Sequence, residues 1–164
     1  MTDGALGSQG DERETLAGFL DWYRSVVERK AEGLTLAQAS EPRTPSGLSV
    51  LGIVKHLAAV ERLWLQWRFA GEDVAADPGG AGPATFRLDR ADTVESVVAD
   101  YRHECELGRA IAAQAPLDAL SVREHDLFGH VSLRWVLVHL LEETARHAGH
   151  LDLMREAVDG RTGD

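Results

Sequence analysis

The sequence has few cysteines and no cluster of basic residues. Cys105 is the single cysteine among 164 residues, so no disulfide can form within the chain, which suits a reducing compartment. The chain has 17 Lys and Arg residues and 27 Asp and Glu residues, which gives a formal net charge of −10. Affinity for nucleic acid and for anionic lipid surfaces comes largely from Lys and Arg side chains that neutralise phosphates. The composition therefore argues against both kinds of partner.

Long apolar runs are also missing. No run approaches the roughly 18 residues that suggest a membrane span. The polar, glycine-rich residues 1–10 lack the basic-then-apolar order of a signal peptide. We therefore expect a cytoplasmic protein whose first ten residues are flexible. The hydrophobic content of 44% is too high for a disordered chain, and the length suits one domain covering residues 1–164.

Four segments show the apolar period of an amphipathic helix, and none shows sustained strand alternation. The predicted helices cover residues 12–32, 49–70, 93–115 and 132–158. Two long connections, residues 72–92 and 116–131, separate the later helices. Asp92 with Glu95 has the form of a capping box before the third helix. The pattern predicts an all-α four-helix bundle with a long crossover loop, whose core can hold a metal between facing helices.

A histidine lies on the apolar face of the second predicted helix. At about 100° per residue, His56 falls inside the stripe formed by the apolar residues of that helix. That stripe consists of Ile53, Leu57, Val60, Leu63, Trp64 and Trp67. A buried imidazole needs a hydrogen-bond partner or a metal. Considered alone, His56 is more simply interpreted as a core histidine bound to a backbone carbonyl.

The fourth predicted helix concentrates metal-binding residue types on one side. His139, Glu143 and His147 are four residues apart, and His150 follows three residues later. All four project within a sector of roughly 80°. A carboxylate and an imidazole one turn apart can bind the same ion. The other interpretation is a polar flank with one core histidine. The inward position of His56 on another helix favours a metal site.

Spacing alone leaves the third ligand open between Glu143 and His150. Four residues give about 6 Å of rise from His147 and three give about 4.5 Å, so either residue can share an ion with it. Histidine is the commoner zinc ligand, which favours His150. A carboxylate near the core face needs a compensating cation, which favours Glu143.

Two stretches resemble a known family. They are SGLSVLGIVKHLAAVERLWLQW at residues 46–67 and SLRWVLVHLLEETARHAGHLDLMREAVDG at residues 132–160. Both resemble the DinB/YfiT-like superfamily of metal-binding four-helix bundles, and in particular its actinobacterial mini-circle-type branch. The resemblance implies His56 as one ligand, from a His-Leu pair, and Glu143 with His147 as the other two. Many members have histidine where this chain has Glu143. Glutamate there is similar to mycothiol-dependent maleylpyruvate isomerase, a zinc protein of the superfamily.

Two histidines and one carboxylate suit a zinc ion with an open coordination position, although nickel or iron can bind the same donors. Such an ion lowers the pKa of a bound thiol or water. No cysteine is near the proposed ligands, so a nucleophilic thiol would come from outside. The resemblance implies a low-molecular-weight thiol such as mycothiol, and a metal-dependent transferase or isomerase acting on a small electrophile. His139 and His150 are then candidate catalytic residues that orient a ligand or transfer a proton.

Two other functions fit the same residues. A metal-dependent hydrolase would use bound water as the nucleophile, with His150 as the general base. A non-catalytic stress or interaction protein would use the metal structurally, and we expect a homodimer that pairs through helix faces. Cys105 is expected to be a small core residue rather than a reactive thiol. Trp64, Trp67 and Trp135 are expected in the core or in a pocket wall.

Overall fold

The structure, a computed structural model, describes residues 9–76 and 82–163. Its helices are α1 (Glu12–Ala31), α2 (Leu36–Ser40), α3 (Val50–Glu61, continued by a π-helical segment Arg62–Phe69), α4 (Val94–Gln114) and α5 (Leu133–Asp159). The all-α prediction is confirmed, and the four long helices match the predicted ranges to within one residue at each end. The predicted flexible segment, except for its last two residues, lies outside the described residues, as do 77–81 of the crossover loop. None of the helices described is long and apolar enough to cross a membrane.

The core consists of two apolar clusters with a polar layer between them. Helix α1 packs against α5, and α3 packs against α4. Helix α5 contributes its residues 133–140 to one cluster and its residues 148–154 to the other. Glu143, Thr144 and His147 fall between these two stretches. The polar residues that the sequence analysis singled out therefore lie in the interior of the bundle, at mid-height along α5.

The start of α4 differs from the predicted capping box by one residue. Thr93 is the cap: its Oγ1 accepts from the Ser96 backbone at 3.1 Å, and Ser96 Oγ accepts from the Thr93 backbone at 2.9 Å. Asp92 does not cap the helix with Glu95, because its carboxylate accepts from Lys55 Nζ at 2.7 Å. That contact attaches the end of the crossover loop to α3.

The last two turns of α3 are π-helical, which periodicity did not predict. Phe69, at the end of this segment, accepts a hydrogen bond at 3.0 Å from the backbone of Val122 in the long connection between α4 and α5. The chain then turns at Gly71, whose φ is +74° and where a Cβ would lie 2.6 Å from Val122 Cγ1. A residue other than glycine at this position would be strained and would push the connection away from α3.

A buried ion pair crosses the bundle at the level of the polar layer. Arg24 of α1 donates from Nε and Nη2 to the two carboxylate oxygens of Glu61 on α3, at 2.7 and 2.6 Å. Both side chains are almost fully buried. Gly108 of α4 gives this pair room, because a Cβ there would lie 3.1 Å from Glu61 Oε2 and 2.7 Å from a Leu65 methyl carbon. The bidentate geometry offsets the cost of burying both charges.

Candidate metal site

Three predicted ligands meet in the polar layer. Oε1 of Glu143 lies 3.3 Å from Nε2 of His56 and 3.3 Å from Nε2 of His147. One donor atom from each of the three residues lies within 4.8 Å of the other two. His56 and His147 are buried, and Glu143 is 17% exposed at its side chain. Helices α3 and α5 thus bring together the residues that the sequence analysis assigned to the site.

The separation of these atoms suits a shared cation. Donors bound to a tetrahedral zinc ion at roughly 2.0–2.2 Å lie about 3.3 Å from one another. A direct N–H···O hydrogen bond is usually shorter, at about 2.7–3.2 Å. The two distances of 3.3 Å around Glu143 Oε1 match the first geometry better than the second.

A hydrogen-bond chain fixes the tautomer of His56. Oγ1 of Thr85 lies 2.7 Å from the carbonyl oxygen of Gly82, to which it must donate its single proton. His56 Nδ1, 2.8 Å from the same hydroxyl, is therefore the donor in that contact. The neutral ring then directs the lone pair of Nε2 towards the Glu143 carboxylate. Two electron-rich atoms face each other, an arrangement that a metal ion or a proton between them makes favourable.

The crossover loop also fixes the plane of the His56 ring. Phe86 stacks on the imidazole with ring centroids 3.9 Å apart and planes 13° from parallel. It belongs to the same short 3₁₀ turn, Pro83–Phe86, as Thr85. Neither residue is recognisable in the sequence as part of the site. The sequence hinted at them only through the length of the connection that contains them. Connections this long within a compact domain are often functional.

The Glu143 carboxyl is ionised at neutral pH. Where the facing ring nitrogens of His147 and His56 carry a proton, their hydrogen bonds hold the pKa of the Glu143 carboxyl well below its usual value, and this effect outweighs burial, which raises it. Arg146 lies 3.4 Å from the second carboxylate oxygen of Glu143 and also pairs with Glu142, four residues before it. The cluster therefore combines one negative charge with two imidazoles, a donor set suited to a divalent cation.

His150 lies behind His147 rather than in the three-donor cluster. The Nδ1 atoms of the two rings are 3.4 Å apart, and the Nε2 of His147 faces Glu143. Burial lowers the pKa of His150, and the neighbouring His147 lowers it further. A neutral His150 whose Nδ1 accepts from His147 carries its proton on Nε2. In that form it orients His147 and keeps one N–H available.

His139, the other candidate catalytic residue, lies in a separate aromatic cluster one turn from Glu143. Its ring centroid lies 4.5 Å from that of Trp64 and 5.3 Å from that of Trp135. His125 stacks on Trp64 from the long connection, with the rings 10° from parallel. Burial lowers the pKa of His139. The structure thus places His139 in a wall beside the site and does not bring it to the three donors.

Comparisons with known proteins agree with this architecture. The sequence model of the mycothiol-S-transferase family matches residues 15–160. A crystal structure of a conserved protein from Enterococcus faecalis aligns with a TM-score of 0.63 and 18% sequence identity. The alignment covers 93% of this chain and 99% of that chain, and at such identity it shows the fold alone. No curated protein matches the sequence.

Proposed function

Because the chain belongs to the mycothiol-S-transferase family, a DinB-like family, we propose that it transfers a mycothiol-type thiol to a small electrophile with the help of a divalent metal. The metal would be held by His56, Glu143 and His147. The observation that carries the proposal is the donor cluster itself, in which a lone pair of His56 is directed at an ionised carboxylate. Zinc is the first choice for two imidazoles and a carboxylate, with nickel or iron as alternatives.

Three protein donors leave room for a further ligand. A metal ion held there would lower the pKa of a bound thiol, so that the thiol reacts as its thiolate at neutral pH. The chain itself supplies no such thiol, because Cys105 is fully buried and contacts Glu61 rather than the cluster. In a substitution the C–S bond would form as the bond to the leaving group breaks. The leaving group keeps the electron pair, and the thiol proton passes to water.

The contacts of His150 favour transfer over hydrolysis. A hydrolase would need a general base beside the metal, and His150 was the candidate. Its Nδ1 lies 3.4 Å from the Nδ1 of His147. When His147 holds a metal through Nε2, its Nδ1 carries a proton and donates to His150, whose remaining nitrogen then carries a proton and donates rather than accepts. We propose that His150 orients His147 and donates a hydrogen bond to the bound ligand. His139, whose ring contacts those of Trp64 and Trp135, is proposed to shape the wall of the site.

The proposal is tested by metal content and thiol binding. Purified protein should contain about one equivalent of metal, and His56→Ala and His147→Ala should lose most of it while retaining their helical content. His103→Ala changes an exposed histidine of α4 and serves as the matched control. Cobalt-substituted protein should develop a thiolate charge-transfer band on addition of mycothiol. Full metal content in both ligand variants would contradict the site, and no band at saturating mycothiol would contradict the transferase.

Oligomeric state and compartment complete the proposal. We propose that the protein is a homodimer and that it is cytoplasmic. The dimer would cover apolar surface, because Phe19 on α1 is 42% exposed and Leu107 on α4 is 36% exposed. Light scattering at micromolar concentration should give the mass of two chains, and a monomer would contradict this. A dimer that binds metal without affinity for thiols would support the non-catalytic alternative.

A further inference from the structure

The 3₁₀ turn of the crossover loop rests on a glycine of α3 that lies one helical turn before His56. Gly52 is the third residue of α3 and is buried. A Cβ at this position would lie 2.6 Å from the carbonyl oxygen of Phe86 and 3.0 Å from Oγ of Ser49, which caps the helix. Glycine is less favourable than alanine within a helix. Gly52 therefore has a steric reason: it leaves the space in which the backbone of the turn lies directly against α3.

The same turn carries two side chains that contact the His56 ring. Oγ1 of Thr85 lies 2.8 Å from His56 Nδ1, and the ring of Phe86 stacks on the imidazole. Phe86 also reaches the second histidine of the cluster, because its ring centroid lies 5.7 Å from that of His147. Thr85 directly precedes Phe86, so a displacement of the Phe86 carbonyl group would move both contacts relative to His56.

A second attachment of this loop to α3 is weaker. Nζ of Lys55 lies 2.7 Å from a carboxylate oxygen of Asp89 and 2.7 Å from one of Asp92. These pairs reach the surface, since Lys55 is 25% and Asp89 81% exposed, and ion pairs of this kind contribute little and are screened by salt. The contact at Gly52 is stricter, because a Cβ and a backbone carbonyl oxygen at 2.6 Å cannot rotate away from each other. The position of the turn therefore depends on Gly52 more than on Lys55.

We propose that Gly52 is a positioning residue for the metal site: the absence of a side chain there lets the turn 83–86 hold the His56 ring with Nε2 directed at Glu143. The inference rests on the proposed metal site and is independent of thiol transfer. Gly52 supplies no donor atom and acts through Thr85 and Phe86. Its replacement should change the orientation of His56 and the affinity for metal while α3 remains helical.

The test is Gly52→Ala, with Gly149→Ala as its matched control. Gly149 lies on α5 two residues after His147, and among the described residues a Cβ there would meet nothing within 4 Å beyond its own stretch of helix. Competition with a chromophoric chelator measures the zinc affinity of both variants. We expect Gly52→Ala to bind zinc about tenfold more weakly than the parent, and Gly149→Ala to stay within about twofold of it. Equal affinity in Gly52→Ala and the parent would overturn the proposal.

A double variant shows whether Gly52 acts through the turn. Thr85→Val removes the acceptor that orients His56, so little orientation is left for Gly52→Ala to disturb in that background. We expect the double variant to bind zinc less than about threefold more weakly than Thr85→Val alone. A loss equal to the product of the two single losses would show that Gly52 acts by another route, and the assignment would be wrong.

A measurement on the metal-free protein separates this inference from the proposed function. A proton on Nδ1 of the buried His56 ring that is bonded to Thr85 should exchange slowly with water and give an NMR signal. We expect this signal in the parent and in Gly149→Ala, and its loss in Gly52→Ala and Thr85→Val with unchanged helical content. If the parent shows this pattern but binds no metal, the proposed metal site alone fails. A signal that persists in Gly52→Ala would overturn the inference, and so would an unfolded Gly52→Ala, because Gly52 would then serve the core rather than the site.

Discussion

His56 Nδ1 lies 2.8 Å from Oγ1 of Thr85, a residue 29 positions further along the chain. The hydroxyl is fixed as the acceptor because it donates its own proton to Gly82. The crossover loop, whose described residues include the short 3₁₀ turn Pro83–Phe86, thus determines which nitrogen of a buried histidine is free to bind a metal. Contacts of this kind commonly change metal affinity by about tenfold to a hundredfold.

Replacing this hydroxyl should weaken metal binding without removing a ligand. Thr85→Val keeps the shape of the side chain and deletes the acceptor, so we expect metal affinity to fall by about tenfold or more. Thr85→Ser retains the acceptor and is the matched control. Competition with a chromophoric chelator measures both. Equal affinity in Thr85→Val and the parent protein would mean that the loop does not set the tautomer.

Two substitutions test whether Glu143 or His150 is the third metal ligand. Glu143→Gln preserves shape and removes the charge that His56 and His147 face, so metal affinity should fall by more than about tenfold, or about 1.4 kcal/mol. His150→Ala should keep the metal, since His150 contacts the opposite side of His147. Elemental analysis after dialysis distinguishes them. Metal lost from His150→Ala but kept by Glu143→Gln would overturn the assignment.

The Arg24–Glu61 pair should contribute to stability but not to metal binding. Glu61→Gln leaves the buried Arg24 guanidinium with only the partly exposed Asp21 as its counter-charge, and we expect a loss of about 3–5 kcal/mol in the free energy of unfolding. Asp100→Asn alters an exposed ion pair of α4 and should cost less than about 1 kcal/mol. Urea denaturation gives both values. A change of less than 1 kcal/mol in Glu61→Gln would show that the pair is dispensable.

Cys105 should be unreactive in the folded protein. Burial raises the pKa of its thiol, and the nearby Glu61 carboxylate raises it further, so almost no thiolate exists at neutral pH. A disulfide reagent that releases a coloured thiolate should therefore label the native protein very slowly and the denatured protein at once. Rapid labelling of native protein would show that the chain does supply an accessible thiol.

The long helices could be predicted almost to the residue because each one repeats its apolar side chains over five or more turns. Helix α2 was missed, since five residues are too few to show a period. The π-helical end of α3 was missed because a sequence pattern does not distinguish i→i+4 from i→i+5 hydrogen bonds. The α4 cap was displaced by one residue because Asp92 had a tertiary partner in Lys55.

Much of the donor cluster could also be predicted from helix periodicity. Glu143 and His147 are one turn apart, and His56 interrupts an apolar stripe, so helical geometry favoured a metal site. The choice of Glu143 over His150 rested on the cost of a carboxylate near the core and on the family resemblance. Thr85 lies in a loop whose path depends on tertiary packing, and no spacing rule places it. Arg24 and Glu61 resemble ordinary helix flanks in the sequence, and only their mutual contact explains their burial.

The two α5 donors, Glu143 and His147, lie between the stretches of that helix that enter the two apolar clusters. An ion that they share with His56 would join α3 and α5 at that level. Stability would then depend on the free metal concentration, rising by about 2.7 kcal/mol at a hundredfold excess over the dissociation constant. Metal-poor and metal-replete cells would hold two populations of the same chain that differ in their lifetime against proteolysis.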